Sequence, residues 1–474
     1  MKKRNIIFGT DGWRGLLDEE LNKANIRRVA QAFAGYLQMK RKGNRVAIGY
    51  DGRENSNVFA GIFAQVLKGN GIEVLLTDRI VPTPVVSYTC VHSKCDAGVM
   101  ITASHNPPQY NGIKFKAAHG SPFATEETAL VEALIDKSGV KYAEDRIEAT
   151  NLTKNYLAHL EKLIDFDSIQ SSGLKIAVDS MAGAGGTMLQ DLLGKYGLAC
   201  KTIFGTPETD FAGRLAEPVE RNLQPLSEML KNGNFSLGLA TDGDADRLGV
   251  MTNTGQWMNA QEAILALGSY YRLHRGVPGP MVKTASVTDQ VRKVFPPEEV
   301  FDVQVGFKYV AEAMIEKQAA FGAEESGGFG FKEHLPERDG IFSGLLFLEM
   351  LARSGYKKLD DFIENQRNRL GVIHYDRIDI KSNSHRRHEV LPRLAVNPPE
   401  RIGNHKIDNL QTYQSSRGII NGLKLSLEGN PRWLLLRVSE TEPMVRVYAE
   451  AECNSEVVAL LHHGMMLLDE YMSG

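Results

Sequence analysis

The chain has 474 residues, of which 42% are hydrophobic and 24% charged, with a net charge of -3; this length predicts several domains rather than one core. No basic tail or block occurs, which excludes a typical nucleic-acid-binding protein. Four cysteines without metal-site spacing, no signal-peptide core and no run of 18 apolar residues predict a cytoplasmic protein with no membrane partner.

The chain opens with a glycine-rich loop at residues 8–15, which contains three glycines and Arg14. Glycine lets the backbone approach a ligand closely, and a planar guanidinium can clamp an anion, although a plain turn is the alternative. A helical pattern follows, and then a strand at 46–48, a helix at 57–68 and a strand at 73–76. This order predicts a layered α/β domain.

The next segment offers groups for covalent catalysis. Residues 97–101 predict a buried strand, which must end at the two prolines that follow because proline cannot extend a sheet ladder. Asn111 and Gly112 predict a tight turn that brings Lys114 back toward Ser104. With His105, these residues supply a hydroxyl, an imidazole and an amine near a strand end. A polar loop without catalytic function is the alternative.

A later apolar strand, residues 237–240, leads into Asp242, Asp244 and Asp246 and then Arg247. Carboxylates at this spacing can converge on one hard cation, and oxygen ligands suit Mg²⁺ or Ca²⁺. An EF-hand is excluded because Arg247 stands where that loop needs glycine, and the twelfth position lacks its glutamate. A site with few carboxylates and an adjacent arginine is typical of Mg²⁺ that shares its coordination with a phosphate. A solvated acidic turn is the alternative.

Two further segments offer groups for binding a substrate. Glu324 and Ser326 lie among glycines, and a carboxylate beside a hydroxyl can hold vicinal sugar hydroxyls, with an exposed acidic turn as the alternative. Near the end of the chain, Arg437, Ser439 and Thr441 offer a guanidinium and two hydroxyls without a base, which is typical of a phosphate site. The implied ligand is a phosphorylated sugar in a cleft between domains.

The predicted fold class is α/β with four domains around a central cleft. Three similar α/β domains with mixed sheets precede a smaller α+β C-terminal domain. The predicted domains, which carry in turn the Ser104 loop, the metal loop, the sugar loop and the phosphate loop, are residues 1–148, 149–255, 256–371 and 372–474.

Four motifs together resemble those of the α-D-phosphohexomutase superfamily, and the resemblance extends over essentially the whole chain. The glycine-rich opening at residues 8–15 also matches the N-terminal loop of that family. The four motifs, in family order, are Thr102-Ala103-Ser104-His105-Asn106-Pro107, Asp242-Gly243-Asp244-Ala245-Asp246-Arg247, Glu324-Glu325-Ser326-Gly327 and Arg437-Val438-Ser439-Glu440-Thr441-Glu442-Pro443.

The resemblance implies a mechanism. Ser104 is phosphorylated in the resting enzyme, and the three aspartates hold one Mg²⁺ together with an oxygen of that phosphoserine. The phosphoryl group passes to a hexose monophosphate and gives a hexose 1,6-bisphosphate, so glucose 1,6-bisphosphate is expected as intermediate and activator. Arg14 and Arg247 would neutralise charge during the transfer. Lys114 would act as general base or acid, with His105 in support.

The resemblance also implies a set of substrate-binding residues. Glu324 and Ser326 would hold the 3- and 4-hydroxyls of the sugar in either orientation, and the residues of the phosphate loop would hold the phosphate that is not reacting. The implied substrate-binding residues are Lys283, Gly306, Phe307, Glu324, Ser326, Arg437, Ser439, Thr441 and Arg446.

The expected partners are small hexose phosphates, and the expected assembly is a monomer or a homodimer. Glu-Glu-Ser at 324–326 resembles glucose-preferring members of the family, and the segment 305–308 resembles hexose mutases more than the glucosamine-specific branch. The alternatives are a phosphomannomutase, an enzyme of dual specificity, a phosphoglucosamine mutase, a sugar phosphatase and a non-catalytic binding protein. Glu440 departs from the family pattern inside the phosphate loop, and its carboxylate is expected to face away from a phosphate.

Overall fold

The structure is a computed structural model that describes residues 6–9, 11–40, 43–382, 384, 386–414, 418–439 and 443–473. Within these residues the strands form four sheets that follow one another along the chain, and helices pack on them. The predicted fold class, with three α/β domains and a β-rich C-terminal domain, is confirmed.

The first sheet has six strands in the order β1-β5-β4-β2-β3-β6. Strands β2 and β4 are parallel neighbours, so their carboxyl ends lie at the same edge of the sheet. The elements of this domain are β1 (Trp13–Leu16), α1 (Lys23–Met39), β2 (Arg45–Tyr50), α2 (Ser56–Gly69), β3 (Glu73–Thr77), α3 (Thr83–His92), β4 (Ala97–Ile101), β5 (Tyr110–Ala117), α4 (Thr125–Ala133) and β6 (Ala149–Thr150).

The second sheet has the order β11-β10-β9-β7-β8, in which β7 is parallel to both β8 and β9. Its last strand lies just beyond residue 255, where the sequence places a domain boundary. The elements are α5 (Thr153–Leu163), α6 (Phe166–Ser172), β7 (Lys175–Asp179), α7 (Met188–Lys195), β8 (Ala199–Ile203), α8 (Gln224–Asn232), β9 (Leu237–Thr241), β10 (Leu248–Thr252) and β11 (Trp257–Met258).

The third sheet has the order β13-β12-β14-β15, with β12 parallel to β13 and β14. The elements are α9 (Ala260–Ser269), β12 (Met281–Thr284), β13 (Val300–Val303), α10 (Phe307–Lys317), β14 (Phe321–Glu324), β15 (Gly328–Phe331), α11 (Gly340–Ser354) and α12 (Leu359–Leu370). Short helical turns also occur in the second and third domains, at Phe211–Gly213, Glu220–Asn222, Tyr270–His274, Asp289–Lys293 and Pro297–Glu299.

The fourth sheet is antiparallel throughout, with the order β16-β21-β20-β19-β18-β17. The elements are β16 (His374–Lys381), α13 (Arg387–Val396), β17 (Arg401–Ile402), β18 (His405–Gln414), β19 (Ile420–Leu427), β20 (Trp433–Val438), β21 (Met444–Ala451) and α14 (Asn454–Ser473).

The second and third domains, together with α3 of the first, share one continuous apolar core. Helix α11 lies in the middle of this core, and its residues from Gly340 to Leu351 are all buried. A helix that is apolar on every side requires such a position between layers.

The fourth domain has a separate core between its sheet and helices α13 and α14, and a small apolar cluster joins it to the third domain. The fourth domain is therefore attached to the others by a narrower contact.

One sequence prediction is wrong. Asn111 and Gly112 do not form a turn but lie within β5, where Gly112 pairs with Arg14 of β1. A Cβ atom at Gly112 would lie 2.4 Å from the carbonyl oxygen of Trp13, so glycine is needed here for close packing of two strands. Lys114 nevertheless reaches the end of β4, because β5 runs antiparallel to that strand.

None of the helices in the described part of the chain is long and apolar enough to cross a membrane.

Candidate active site

Ser104 lies just beyond the end of β4, in a loop with a strained backbone. Its φ of 54° falls in the left-handed region, which a residue with a side chain adopts at a cost and which often marks functional positions. The Ser104 amide donates to Thr102 Oγ1 over 2.9 Å, and that hydroxyl donates to Asp51 Oδ2 over 2.6 Å. Asp51 follows β2, so neighbouring parallel strands supply both ends of this network.

Arg53, which also follows β2, fixes the rest of the loop. Its buried guanidinium donates to the carbonyl oxygens of Ser104 and Asn106, each over 2.6 Å. It also donates to the carbonyl oxygens of Pro107 and Tyr110, each over 2.9 Å. These four bonds tie the backbone of residues 104–110 to one side chain. The position of Ser104 therefore depends on a side chain 51 residues earlier in the sequence.

The three predicted metal aspartates lie directly opposite Ser104, after the end of β9. Ser104 Oγ donates to Asp242 Oδ2 over 3.2 Å. The loops also touch through their backbones, because a Cβ atom at Gly243 would lie 2.5 Å from the carbonyl oxygen of Ser104. Thr83 at the start of α3 donates to Asp244 Oδ2 over 2.5 Å, so the first domain holds the metal loop of the second.

The aspartate cluster fits a hard cation. One carboxylate oxygen from each of Asp242, Asp244 and Asp246 lies within 4.8 Å of the other two, and all three side chains are buried. Oδ1 of Asp244 and Oδ1 of Asp246 are buried without a hydrogen-bond partner among the described residues. Burial and the charges of the other two aspartates raise the pKa of Asp242 well above its usual range. An all-oxygen set with unused acceptors suits Mg²⁺.

Lys114 reaches the same cluster from β5. Its Nζ lies 2.8 Å from Asp244 Oδ2, 2.9 Å from Asp246 Oδ2 and 3.0 Å from Asp11 Oδ2. Burial alone would lower the pKa of Lys114, but these three carboxylates outweigh burial and raise the pKa. Lys114 is therefore held as an ammonium ion in this arrangement and adds positive charge beside the three carboxylates.

The other predicted catalytic residues surround Ser104. Arg14 donates from Nη1 to Asn106 Oδ1 over 2.5 Å, so it lies against the Ser104 loop. Arg247 Nε lies 4.0 Å from Asp242 Oδ2 and 3.9 Å from Asp246 Oδ1. Burial and the charges of Arg247, Arg14 and Lys114 lower the pKa of His105 well below its usual range.

His105 does not form a catalytic triad with Ser104. His105 Nδ1 is buried and has no hydrogen-bond partner among the described residues. An imidazole that is kept neutral and has no carboxylate on this nitrogen lacks the orienting group of a triad base.

A cation that the sequence prediction missed joins the metal loop to the sugar loop. Arg338 Nη2 lies 2.8 Å from Asp246 Oδ2 and 2.8 Å from Asp11 Oδ2. Arg338 Nη1 lies 3.1 Å from Glu324 Oε1. Gly328 leaves room for this side chain, since a Cβ atom there would lie 2.4 Å from Arg338 Cδ.

Glu324, the last residue of β14, and Ser326, on the connection to β15, form the predicted sugar-binding pair. Ser326 Oγ donates to Glu324 Oε1 over 2.6 Å, so the two side chains present a hydroxyl and a carboxylate together. Between them, Glu325 turns toward the fourth domain, where Arg377 Nη1 donates to its Oε1 over 2.8 Å. Consecutive residues of one loop therefore contact the metal side of the site and the fourth domain.

Three other predicted substrate-binding residues have different surroundings. Lys283 is fully buried, and its Nζ lies 3.0 Å from Asp289 Oδ1 and 3.1 Å from Asp302 Oδ2. Gly306 precedes α10, and Phe307, its first residue, is buried with the Arg338 guanidinium 5.5 Å from its ring centroid. The structure does not bring Lys283 to the Ser104 loop, and the substrate-binding roles of these three residues stay predictions.

The predicted phosphate site lies on the fourth sheet. Arg437 of β20 and Arg446 of β21 are paired residues on neighbouring strands. Ser439 follows β20 and is buried, and its amide donates to the carbonyl of Met444 over 2.9 Å. Thr441 and Glu440 lie outside the described residues, so the predictions for these two residues remain untested.

The missed residues carried weak signals in the sequence. Asp11 belongs to the glycine-rich opening, but its carboxylate had no assigned function. Arg53 comes shortly after one predicted strand, and Ser104 comes shortly after another. Parallel strands have their carboxyl ends at the same edge of the sheet, so the two residues could have been expected to lie close together. Arg338 stands in no recognised motif, and its three carboxylate partners come from distant parts of the sequence.

Comparisons with known proteins agree with this geometry. Family models described as phosphoglucomutase/phosphomannomutase, alpha/beta/alpha domains I, II and III, match residues 5–141, 154–255 and 260–370. A probable phosphoglucosamine mutase from Methanosphaera stadtmanae is 31% identical over 95% of this chain and 96% of its own length. A phosphoglucomutase/phosphomannomutase from Thermococcus kodakarensis is 28% identical over 99% of both chains.

A solved structure is similar over the same extent. The crystal structure of a putative phosphomannomutase from Thermus thermophilus superposes with a TM-score of 0.84 and 33% identity. The similarity covers 98% of this chain and 99% of that one. The relatives carry different substrate names, so the comparisons identify the type of reaction and leave the sugar open. The chain belongs to the phosphoglucomutase/phosphomannomutase family of the α-D-phosphohexomutase superfamily and is a phosphohexomutase, an isomerase.

Proposed function

We propose that this phosphohexomutase interconverts glucose 1-phosphate and glucose 6-phosphate through a phosphoserine at Ser104 and glucose 1,6-bisphosphate. One observation carries the proposal. Glu324 contacts Arg338 on the metal side of the site, while its neighbour Glu325 contacts Arg377 in the domain of the candidate phosphate cations. A sugar phosphate bound at this loop would have one end at the metal side, where it reacts, and its other end at the fourth domain, where it is held. A phosphatase would require the reacting end alone.

Each half of the cycle is a phosphoryl transfer. A free hydroxyl of the hexose monophosphate attacks the phosphorus, the bond to Ser104 Oγ breaks, and the bisphosphate forms. The sugar then turns around, and its other phosphoryl group returns to Ser104. We assign the proton exchange to Lys114, which as the ammonium ion gives a proton to Ser104 Oγ as the bond to phosphorus breaks and takes up the proton of the attacking hydroxyl, so that it is an ammonium ion again after the transfer. The carboxylates around Lys114 raise its pKa and so supply the protonated form with which each transfer begins.

Asp242, Asp244 and Asp246 would hold Mg²⁺ with an oxygen of the phosphoserine, and the ion would neutralise charge on the phosphoryl group. Arg14 and Arg247 add positive charge beside Ser104. Arg53 holds the loop so that Ser104 Oγ faces the aspartates. Exclusion of water by the fourth domain would protect the phosphoserine from hydrolysis.

The reaction type is tested by following glucose 1-phosphate and inorganic phosphate together, with Mg²⁺ and a trace of glucose 1,6-bisphosphate. We expect formation of glucose 6-phosphate without matching release of phosphate, and loss of turnover in Ser104→Ala. Release of phosphate in step with substrate loss would instead indicate a phosphatase. Full turnover by Ser104→Ala would exclude the covalent scheme.

The choice of glucose rests on the Glu-Glu-Ser sequence of the sugar loop and requires a direct comparison. Glucose, mannose and glucosamine 1-phosphates should be assayed side by side under the same conditions. We expect the highest kcat/KM with glucose 1-phosphate. An equal or higher kcat/KM with mannose 1-phosphate or glucosamine 1-phosphate would show that glucose is not the preferred sugar. It would not contradict the mutase mechanism.

A further inference from the structure

One face of the fourth sheet packs on the third domain. Side chains on this face form rows that run across the strands, and the first row is hydrogen-bonded to the third domain. Trp433, Glu450 and Tyr375 form this row on three neighbouring strands. The Glu450 carboxylate accepts hydrogen bonds from Thr288 Oγ1 over 2.5 Å and from the Asp289 amide over 3.1 Å. Trp433 Nε1 donates to the same carboxylate over 2.7 Å. This buried row ties the sheet to the third domain.

The row at the other end of the same face carries the candidate phosphate cations. Arg437, Arg446 and Asp379 are paired in register across the same three strands. Arg446 Nε lies 3.4 Å from Asp379 Oδ1, so this carboxylate orients one of the two arginines. The orientation of these cations relative to the sugar loop therefore depends on how this end of the sheet is held.

The row between these two ends contains Arg377, which bridges the domains. Its Nη1 lies 2.8 Å from Glu325 Oε1, and its Nε lies 3.0 Å from Asp379 Oδ1. The guanidinium also lies 6.0 Å from the ring centroid of Tyr448, its neighbour in the row. The Glu325 side chain is only 9% exposed, so water screens this ion pair less than one at the surface. A continuous path runs from Glu325 through Arg377 and Asp379 to Arg446.

We propose that the Glu325–Arg377 pair is a positioning device that sets the candidate phosphate cations at the correct distance from the Glu324–Ser326 sugar grip. The proposal rests on the proposed function, in which one sugar phosphate is held at the fourth domain. Because the apolar contact between these domains is small, an ion pair near its outer end can decide the angle of docking. Neither residue needs to touch the reacting phosphoryl group.

The test is a double-mutant cycle on KM and kcat for glucose 1-phosphate, with Glu325→Gln, Arg377→Gln and the double variant. We expect each single change to raise KM about tenfold, with a smaller change in kcat, because binding of the held phosphate is weakened. If the pair acts as a unit, the double variant should also show about a tenfold rise rather than about a hundredfold rise. Arg393→Gln, which breaks an exposed ion pair on α13 of the same domain, should leave both constants unchanged.

KM values within about twofold of the wild type in both single variants would overturn the proposal, as would multiplicative effects in the double variant. If Arg377→Gln fails to fold, as judged by its thermal unfolding, Glu325→Gln alone decides, because it leaves the fourth sheet intact. A wild type that does not isomerise glucose 1-phosphate would refute the proposed function. A wild type that isomerises normally beside unchanged variants would refute only the role of this pair.

Discussion

Nη2 of Arg338 lies 2.8 Å from Oδ2 of Asp246, which ties the third domain to the metal loop of the second. The same nitrogen lies 2.8 Å from Asp11 Oδ2 in the first domain, and Nη1 lies 3.1 Å from Glu324 Oε1. One buried guanidinium therefore fixes three loops of the candidate active site relative to one another. Such a link is required if a metal, a serine and a sugar grip from three domains are to act on one ligand.

Arg338→Gln is expected to lower kcat for glucose 1-phosphate about 100-fold, because loss of the guanidinium leaves its carboxylate partners uncompensated and frees the loops to shift. The measurement is steady-state kinetics with saturating Mg²⁺. Arg353→Gln, which removes an exposed ion pair with Asp165, is the matched control and should keep wild-type kinetics. A kcat for Arg338→Gln within twofold of the wild type would exclude this role.

Arg53→Lys is expected to reduce kcat about 100-fold, since a lysine cannot donate to four carbonyls at once and the Ser104 loop would lose its fixed position. Lysine keeps the charge, so the experiment isolates the geometry of the guanidinium. The fraction of enzyme phosphorylated on Ser104 after incubation with glucose 1,6-bisphosphate should fall as well. Arg79→Lys, at an exposed ion pair of the same domain, should change neither quantity. Normal phosphorylation of Arg53→Lys would contradict the assignment.

Mg²⁺ is expected to raise the Tm of the wild type, because a ligand bound by the folded state stabilises it by about 2.7 kcal/mol at a concentration of 100 Kd. Asp244→Asn should lose this rise, since an amide is a weaker ligand for a hard cation than a carboxylate. Thermal unfolding with and without Mg²⁺ measures the effect without reference to activity. Equal Mg²⁺-dependent rises in Tm for the two proteins would show that Asp244 is not a metal ligand.

Gly243→Ala is expected to destabilise the fold by about 1–3 kcal/mol, because the added methyl group would press on the carbonyl oxygen of Ser104. The metal loop and the Ser104 loop would then separate, so kcat should fall in parallel. Gly194→Ala is the matched control, since a Cβ atom there meets nothing within 4 Å and the residue lies in helix α7. That change should stabilise the fold by about 0.5–1 kcal/mol. Wild-type stability and kcat in Gly243→Ala would contradict the close contact.

Much of the fold could be predicted from local pattern. The apolar strands predicted at 97–101 and 237–240 placed Ser104 and the metal aspartates after strand ends, and the structure has β4 and β9 at these positions. Helix α3 was missed, because its sequence is rich in β-branched residues and its first eight residues are buried, so it lacks amphipathic periodicity. Its helical form is set by packing between the first two domains.

The sequence predicted the site residues that belong to recognisable motifs. It missed the residues whose role depends on tertiary contacts. Ser104 and the three aspartates stand in recognisable motifs, and the structure brings Ser104 Oγ within 3.2 Å of Asp242 and one oxygen of each aspartate within 4.8 Å of the other two. The partners of Arg53 are brought near by the pairing of strands in the first sheet, and two of the partners of Arg338 by the packing of the domains, so no local pattern marks either residue. Gly112 was misread because a tight turn and the close approach of two strands both require glycine.

The intact mass of the protein tests the central claim, a covalent phosphoserine at Ser104, most directly. After incubation with glucose 1,6-bisphosphate and Mg²⁺, we expect a stable species about 80 Da heavier than the unmodified chain in the wild type and in Arg393→Gln. Addition of excess glucose 6-phosphate should remove the added mass, and Ser104→Ala should never acquire it. An added mass that persists in Ser104→Ala, or a wild type that isomerises glucose 1-phosphate without ever gaining it, would contradict the account.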